Sequence, residues 1–291
     1  LGYLPPVNKL NKINSSLHED VFYPAELMFS PSSKLLQLST IVDKKILFPK
    51  EYPYTSSTTK VLRENFKELY KDCRKIIKIS SKDLVIDIGS NDGNLLNNFK
   101  KHHRVLGVTP EKIGKIAIKK GINTLIRYFD KKTSYLILKK YGKAKIITAT
   151  NVFAHIEDVN SLMKNLLKVL IDDGVFISES HYLVSLIKTN QYDTIYHEHL
   201  RYYSLTSLKY LFEKYGMEII HAKKIGTHGG SIRVYAAKKG KFKIKKSVTK
   251  ILNYERKFLN WKTFNNFKKK VVNSKKKLYS ILKKLKNKNK K

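Results

Sequence analysis

The sequence predicts an α/β fold with a mostly parallel sheet and an antiparallel pair of strands at one edge. Between residues 83 and 180, apolar segments typical of buried strands alternate with segments that have the 3.6-residue period of a helix. Strands that alternate with helices are joined by right-handed crossovers and lie parallel. The last two predicted strands are joined by a short turn that contains Gly229 and Gly230, which is typical of an antiparallel pair.

The first 60 residues show no persistent helical period, and six of the seven prolines of the chain fall within them. This composition predicts a small N-terminal lobe of loops and short strands over residues 1–60. A helix is expected from Thr59 to about Ile77, because the apolar residues of that segment fall near one face.

The alternating segment predicts one α/β domain over residues 61–240. Its predicted strands are 84–88, 104–108, 124–129, 145–150, 175–180, 217–224 and 232–237. Its predicted helices start near Leu95, cover 112–120, end at Tyr141, and cover 159–170 and 205–215. Residues 241–291 are predicted to form a Lys-rich helical extension, whose largely aromatic apolar face requires a surface to pack against.

The chain is strongly basic, with 59 Lys and Arg against 23 Asp and Glu and a formal net charge of +36. Only seven of the basic residues are Arg, the side chain that grips phosphate groups with a paired donor fork. The surplus of Lys therefore indicates either a general attraction to anions or a bias of composition without a function.

Several classes of protein are excluded by composition. The single Cys73 excludes an internal disulfide and a zinc site built from thiolates. No apolar run approaches the ~18 residues of a membrane span, and the start does not resemble a signal peptide. We therefore expect a cytoplasmic monomer with no membrane partner. The start at Leu1 and the end in a Lys- and Asn-rich run indicate a fragment of a longer protein.

The turn after the first parallel strand is the candidate cofactor site, because open parallel sheets bind ligands at the carboxyl ends of their strands. A dinucleotide fingerprint has a second glycine where Asn91 stands, and the acids Asp87 and Asp92 would repel a pyrophosphate. Acids suit a sulfonium or an ammonium group instead, so the turn favours S-adenosylmethionine over NAD. The candidate residues of this site are Asp87, Gly89, Ser90, Asn91, Asp92 and Gly93.

The end of the second strand is the place where an acid normally holds the ribose hydroxyls of such a cofactor. This chain has Thr109, Pro110 and Glu111 there. Two alternatives remain open, because either Thr109 supplies a neutral hydroxyl contact or Glu111 reaches the ribose from the start of the next helix.

The densest group of titratable side chains surrounds Tyr196, His197, Glu198 and His199. A metal site, buried structural imidazoles and acid–base chemistry are the three alternatives. The two histidines lie two residues apart, which fits an extended segment and not the helical His pair of a zinc protease. Acid–base chemistry suits these residues because a neighbouring carboxylate or Tyr can orient an imidazole and tune its pKa.

Two further histidines are candidates. His155 directly follows the fourth strand, the position where α/β enzymes carry catalytic groups. His228 lies in the glycine-containing segment 227–231, which is most simply a tight turn that needs the positive φ of glycine.

Five segments together resemble one known family. Segments 52–57, 86–93, 151–155, 196–199 and 227–231 read YPYTSS, IDIGSNDG, NVFAH, YHEH and THGGS. They resemble the S-adenosylmethionine-dependent sugar C-methyltransferases, Rossmann-like class I enzymes that act on nucleotide-linked keto-deoxysugars. The resemblance implies that the acidic glycine-rich turn holds the cofactor, together with Thr109 and Asn151, and that a nucleotide-sugar is the substrate.

The resemblance also implies a reaction. His199 is expected to remove the proton next to the ketone of the sugar, and the resulting carbanion takes the methyl group. Glu198 is expected to orient or charge-balance His199. The candidates for stabilising the enolate oxygen are Tyr54, Tyr196 and His155.

The sequence departs from the family in three respects. Members carry a zinc-binding region with two Cys pairs, but this chain starts after the first pair and has 29–33 (FSPSS) at the second, so no metal is expected. Thr109 replaces the usual ribose-binding acid. The family continues into a second Rossmann-like domain where this chain ends.

Two other functions remain open at this stage. One is an RNA or protein methyltransferase that uses the basic surface, although the absence of an Arg-rich cluster argues against a nucleic-acid partner. The other is a fragment that keeps the fold but has lost activity.

Overall fold

The computed structural model of the protein describes residues 2–7, 21–47 and 55–288. Its strands are β1 (Tyr3–Leu4), β2 (Tyr23–Pro24), β3 (Leu27–Ser30), β4 (Leu35–Leu38), β5 (Leu84–Ile88), β6 (Arg104–Thr109), β7 (Thr124–Ile126), β8 (Ala144–Thr150), β9 (Leu170–His181), β10 (Arg201–Tyr202), β11 (Met217–Ile225) and β12 (Ser231–Lys238). Its helices are α1 (Lys44–Leu47), α2 (Lys60–Ile76), α3 (Gly114–Lys119), α4 (Lys131–Lys140), α5 (Val159–Val169), α6 (Leu183–Thr189), α7 (Leu205–Glu213), α8 (Lys246–Phe258) and α9 (Trp261–Asn287).

A seven-stranded sheet in the order β11-β12-β9-β8-β5-β6-β7 forms the centre of the molecule. Strands β5 to β9 pair in parallel, whereas β12 is antiparallel to both β9 and β11. The predicted α/β class, the parallel strands and the antiparallel edge pair are therefore confirmed. Every residue of β5 and β8 is buried, since helices cover both faces of a parallel sheet.

Two apolar clusters fill the space on the two faces of this sheet. Phe66 and Leu69 of α2 pack in one of them, and Leu162 and Leu166 of α5 pack in the other. The strands end at one edge of this core, so the loops that follow β5, β6, β8 and β9 meet there.

Three local details differ from the expectation. The segment after the first strand forms only a 3₁₀ turn at Leu96–Asn98 instead of a longer helix. Strand β9 starts at Leu170, five residues earlier than expected, because its first residue already pairs with Ala144. The apolar run Leu183–Thr189 forms the helix α6, which the sequence pattern did not reveal.

The N-terminal lobe is joined to the α/β domain by shared hydrogen bonding. Strands β3 and β4 form a hairpin, and β10 adds to β4 to complete a three-stranded sheet. Since β10 directly follows the histidine-rich segment, this small sheet holds that segment against the carboxyl ends of the central strands.

The C-terminal extension forms two helices, because the side chain of Asn260 accepts a hydrogen bond from the backbone N–H of Thr263 and starts α9 anew. Its aromatic face packs on the N-terminal lobe, where the ring of Phe29 lies 4.3 Å from Phe264 and 5.9 Å from Trp261 between centroids. Among the helices described, none has both the length and the apolar character that crossing a bilayer requires.

A buried ion pair lies below the edge where the strands end. Arg233 of β12 and Glu179 of β9 are fully buried, and Nε of the arginine donates to the carboxylate over 2.9 Å. Asn65 of α2 donates to the same carboxylate and accepts from Arg233, with distances of 2.7 Å in both cases. The hydroxyl of Thr227 approaches the carboxylate at 3.4 Å. One buried charge pair thus connects two strands, a helix and a turn.

We expect Arg233→Leu to lower the free energy of unfolding by about 3–5 kcal/mol, because it leaves the carboxylate of Glu179 buried without its counter-ion. Urea unfolding measures the loss, and combining the change with Glu179→Leu should recover part of it. The matched control is Lys67→Met, since Lys67 pairs with Glu64 on the surface and such pairs contribute at most about 1 kcal/mol. Equal losses in Arg233→Leu and Lys67→Met would contradict a stabilising role of the buried ion pair.

Candidate functional site

A cavity of about 730 Å³ opens at the carboxyl ends of the central strands. The loops after β5, β6, β8 and β9 line it from the sheet side. Segments 196–202 and 41–47 line it from the other side. The cavity therefore lies between the α/β domain and the N-terminal lobe, at the place where ligands bind open parallel sheets.

Asp87 and Gly89 form the floor of the cavity at the end of β5. The carboxylate of Asp87 accepts a hydrogen bond of 2.6 Å from the hydroxyl of Thr148, and burial raises the pKa of Asp87 to about 7. Gly89 has a φ of +74°, and a Cβ on it would lie 2.2 Å from the side chain of Val152. Only glycine fits this turn, because it tolerates the left-handed backbone and the close approach of the next loop.

The remaining turn residues have different surroundings. Ser90 and Asn91 line the cavity, and the side-chain oxygen of Asn91 accepts from the backbone N–H of Ser56 over 2.9 Å. Asp92 and Gly93 are absent from the residues that line the cavity. Burial by itself raises the pKa of Asp92, but hydrogen bonds from Ser57, Ser56 and Lys120 lower it.

Thr109 and Glu111, the two alternatives at the end of β6, have different surroundings. Thr109 is fully buried and its hydroxyl donates to the carboxylate of Glu111, whereas Glu111 itself lines the cavity. Thr109 therefore holds the carboxylate in place, and Glu111 is the group that a ligand can reach.

Asn151 and His155 lie in the loop after β8 and line the cavity. Asn151 has a φ of +57° and donates its backbone N–H to the carbonyl of Glu179 over 2.7 Å. Nδ1 of His155 donates to the carbonyl of Glu198 over 2.5 Å. Burial lowers the pKa of His155, so its imidazole is neutral at physiological pH.

His199 is fixed by the carbonyl of Thr194 and the ring of Tyr196. Its Nδ1 donates to the carbonyl over 2.8 Å, and because a carbonyl only accepts, the proton of the neutral imidazole is on Nδ1. The hydroxyl of Tyr196 lies 3.4 Å from Nε2, and the two ring centroids are 4.3 Å apart. Burial lowers the pKa of His199 to about 3, and the nearby imidazole of His155 contributes. Nε2 therefore presents a lone pair.

Two expectations about this segment are corrected. Residues 196–199 form a tight turn closed by a hydrogen bond of 3.0 Å from the N–H of His199 to the carbonyl of Tyr196, not an extended segment. Glu198 is buried and lines the cavity, but the ring nitrogens of His199 contact Thr194 and Tyr196 and not its carboxylate. The turn brings the side chains of Tyr196 and His199 together, so Tyr196 and not Glu198 contacts the imidazole. Tyr54 lies outside the described residues.

The sequence pattern missed His181, which is the last residue of β9 and lines the cavity. Its ring lies 5.6 Å from that of His199 and 6.2 Å from that of His228, and its Nε2 donates to the carbonyl of His228. Its place at the carboxyl end of a buried strand is the signal that could have found it, since a similar rule selected His155. His197 also lines the cavity, but it is buried against the lobe, where its Nε2 lies 3.2 Å from the carbonyl of Pro24.

Comparisons with known proteins identify the family of the chain. Residues 60–222 match the model of a family described as "Methyltransferase domain", and residues 226–291 match one described as "C-methyltransferase C-terminal domain". The chain belongs to the S-adenosylmethionine-dependent methyltransferases. The boundary between the two matches falls in the last residues of β11, within the central sheet.

A curated relative is the C-methyltransferase NovU of Streptomyces niveus, which is 33% identical over 220 residues. The match covers 75% of this chain and 52% of NovU, so the chain spans about half the length of that relative. Solved structures with a similar chain course include the magnesium protoporphyrin IX methyltransferase ChlM of Synechocystis PCC 6803, which is 12% identical. The match has a TM-score of 0.49 and covers 60% of this chain and 83% of ChlM. A methyltransferase of Clostridium acetobutylicum ATCC 824 has 14% identity and a TM-score of 0.47, with coverage of 63% of this chain and 94% of the other.

The residues of this methyltransferase domain fit the cofactor of the family. The sulfonium and ammonium groups of S-adenosylmethionine are cations, and its ribose presents two hydroxyls. A site for this cofactor therefore requires acids at the cavity wall. Asp87 and Glu111 supply them at the ends of two neighbouring strands. Gly89 lines the cavity, and the buried hydroxyl of Ser90 has no hydrogen-bond partner among the described residues.

We expect the affinity for S-adenosylmethionine to rise up to about tenfold between pH 6 and 8, because Asp87 ionises in that range and its carboxylate attracts the cation. Isothermal calorimetry at several pH values measures this. Asp87→Asn should weaken binding and abolish the pH dependence. The control Asp172→Asn changes an exposed acid near the start of β9, at the end of the strand away from the cavity. This variant should keep the pH dependence. A pH profile unchanged in Asp87→Asn would exclude Asp87 as its source.

Glu111→Gln should weaken binding of S-adenosylmethionine about 10- to 100-fold, since hydrogen bonds to a charged group contribute about 1.5–3 kcal/mol. Thr109→Val keeps the carboxylate of Glu111 and removes only the hydroxyl that positions it, so it should cause a smaller loss. Calorimetry on both variants decides between the two alternatives, because the opposite order would assign the ribose to Thr109.

Proposed function

We propose that this protein transfers the methyl group of S-adenosylmethionine to a carbon next to the ketone of a nucleotide-linked keto-deoxysugar. Two matches support C-methylation, namely the relative named C-methyltransferase and the match of residues 226–291. The observation that carries the proposal is the position of His199 in the cavity, with Nδ1 fixed and Nε2 available as a base.

The reaction starts with proton removal by His199. A carbon next to a ketone loses a proton only when a base lies within reach and the enolate is stabilised. Burial keeps the imidazole neutral and therefore able to accept the proton. The anionic phosphates of a nucleotide-linked substrate favour the protonated form of His199. They therefore raise the pKa of His199 from its low value in the free protein as the substrate enters.

Tyr196 is the described residue best placed to stabilise the enolate oxygen. Its hydroxyl lies 3.4 Å from Nε2 of His199, so the base and a hydrogen-bond donor face the same small volume. A donor of this kind contributes about 10²–10³-fold to the rate. Tyr54 remains a further candidate, and Nδ1 of His155 is already engaged with the carbonyl of Glu198.

Asp87, Ser90, Asn91, Glu111 and Asn151 would hold the cofactor, because all of them line the cavity at the strand ends. When bound there, S-adenosylmethionine supplies an electrophilic methyl group. Asp92 and Gly93 would act indirectly by shaping the turn. Asp92 does so through its ion pair of 2.9 Å with Lys120.

The experiment that tests the substrate is incubation with labelled S-adenosylmethionine and a panel of nucleotide-linked keto-deoxysugars that differ in nucleotide and keto position. Methyl transfer to a sugar carbon supports the proposal. Labelled RNA or protein in parallel reactions would support the basic-surface alternative. Calorimetry that detects no cofactor binding to the folded protein would support an inactive fragment.

His199→Ala should abolish deuterium exchange between solvent and the reactive sugar carbon and should lower methyl transfer by about 10²–10⁴-fold, the usual contribution of a general base. Binding of S-adenosylmethionine should persist, because the cofactor residues are on other loops. The control is His102→Ala, since His102 is exposed and absent from the cavity wall. Normal deuterium exchange in His199→Ala would exclude His199 as the base.

A further inference from the structure

The proposed reaction, on which this inference rests, releases one proton in each turnover. A C–H bond of the sugar is replaced by a C–CH₃ bond, and the methyl donor loses its positive charge. The proton taken by His199 therefore cannot return to the product and must reach solvent before the next turnover.

When substrate fills the cavity, the proton on His199 has no direct path to solvent. His199 lines the cavity, and its two ring nitrogens contact the carbonyl of Thr194 and the hydroxyl of Tyr196. The carbonyl cannot accept a proton as a base, and the oxygen of a neutral hydroxyl is too weak a base to hold one. A separate group must accept the proton.

His181 and His228 extend from His199 towards the surface. The ring of His181 lies 5.6 Å from that of His199 at an angle of 78°, and the ring of His228 lies 6.2 Å further on. His228 is exposed, and so is the hydrogen bond from Nε2 of His181 to the carbonyl of His228. Within the described part of the chain, Nδ1 of His181 makes no hydrogen bond, so it can accept.

The backbone fixes His181 in this position. His181 pairs with Ser231 at the end of the antiparallel ladder between β9 and β12, and the next N–H, that of Tyr182, donates to the carbonyl of Gly230 over 3.1 Å. His228 adopts a left-handed φ of 51°, which directs its carbonyl to the imidazole of His181. The relative position of the two imidazoles is thus set by the turn between β11 and β12.

We propose that His181 is a catalytic residue that relays the proton from His199 to solvent. The C–H bond of the sugar breaks and Nε2–H forms on His199. That proton passes to Nδ1 of His181, directly or through one water molecule. His181 then loses the proton on Nε2 to water at its exposed hydrogen bond, and His199 is again a neutral base. Proton exchange with water returns His181 from the Nδ1–H to the Nε2–H tautomer, so it can accept the next proton. No oxidant or reductant takes part.

The test is His181→Gln, which keeps an amide that can donate to the carbonyl of His228 but cannot relay a proton. Without S-adenosylmethionine, the enzyme and keto-sugar are incubated in D₂O, and deuterium at the reactive carbon is measured by mass spectrometry. We expect incorporation to fall about tenfold or more, because His199 then returns the same proton. Methyl transfer in a single turnover should change less than about twofold, since the base is intact. Added imidazole should restore incorporation, and the control His102→Gln should match wild type.

A second measurement needs no substrate. In the free protein the ring proton of His199 is on Nδ1, and it can exchange only after a proton from water has reached Nε2. NMR saturation transfer reports the rate of this exchange, and His181→Gln should slow it about tenfold or more. Unchanged exchange in this variant overturns the relay, as does unchanged deuterium incorporation with a working substrate. Absence of methylation and of deuterium incorporation in wild type would instead overturn the proposed function, and the NMR measurement would still decide the relay.

Discussion

The buried ion pair between Glu179 and Arg233 organises the edge where the strands end. Its carboxylate accepts from Asn65 of α2 and from the hydroxyl of Thr227, and the carbonyl of Glu179 accepts from Asn151. Two buried charges are costly without each other, so these contacts cannot be rearranged singly. The loop that carries His155 and the turn that carries His228 are therefore both held by the same residue.

The small sheet of the N-terminal lobe imposes the second constraint. Strand β10 pairs with β4 directly after the turn that contains Tyr196 and His199, so the turn is fixed at its end by the lobe. His197 adds a contact from the turn to the carbonyl of Pro24 in β2. The cavity is thus closed on one side by the strand ends and on the other by the N-terminal lobe. One strand of the small sheet in that lobe, β10, directly follows the histidine-rich segment.

Much of the cavity wall at the end of β5 is local in sequence and was predictable for that reason. The acid at the end of a buried strand and the glycine turn after it are adjacent residues, so their pattern alone located Asp87 and Gly89. Asp92 shows the limit of this reasoning, because its carboxylate binds Lys120, which is 28 residues away. The orientation of Glu198 was equally out of reach, since a tight turn and an extended segment can have the same composition.

The sequence by itself determined the α/β class, the parallel strands with their antiparallel edge pair and the acidic turn, because periodicity and strand-end chemistry are properties of neighbouring residues. Only the tertiary structure decided which imidazoles share a cavity. His155, His181 and His199 come from three separate segments of the chain, and the rings of His155 and His181 lie 5.0 Å and 5.6 Å from that of His199 between centroids. Distances between segments depend on strand order and burial, and no local pattern encodes them.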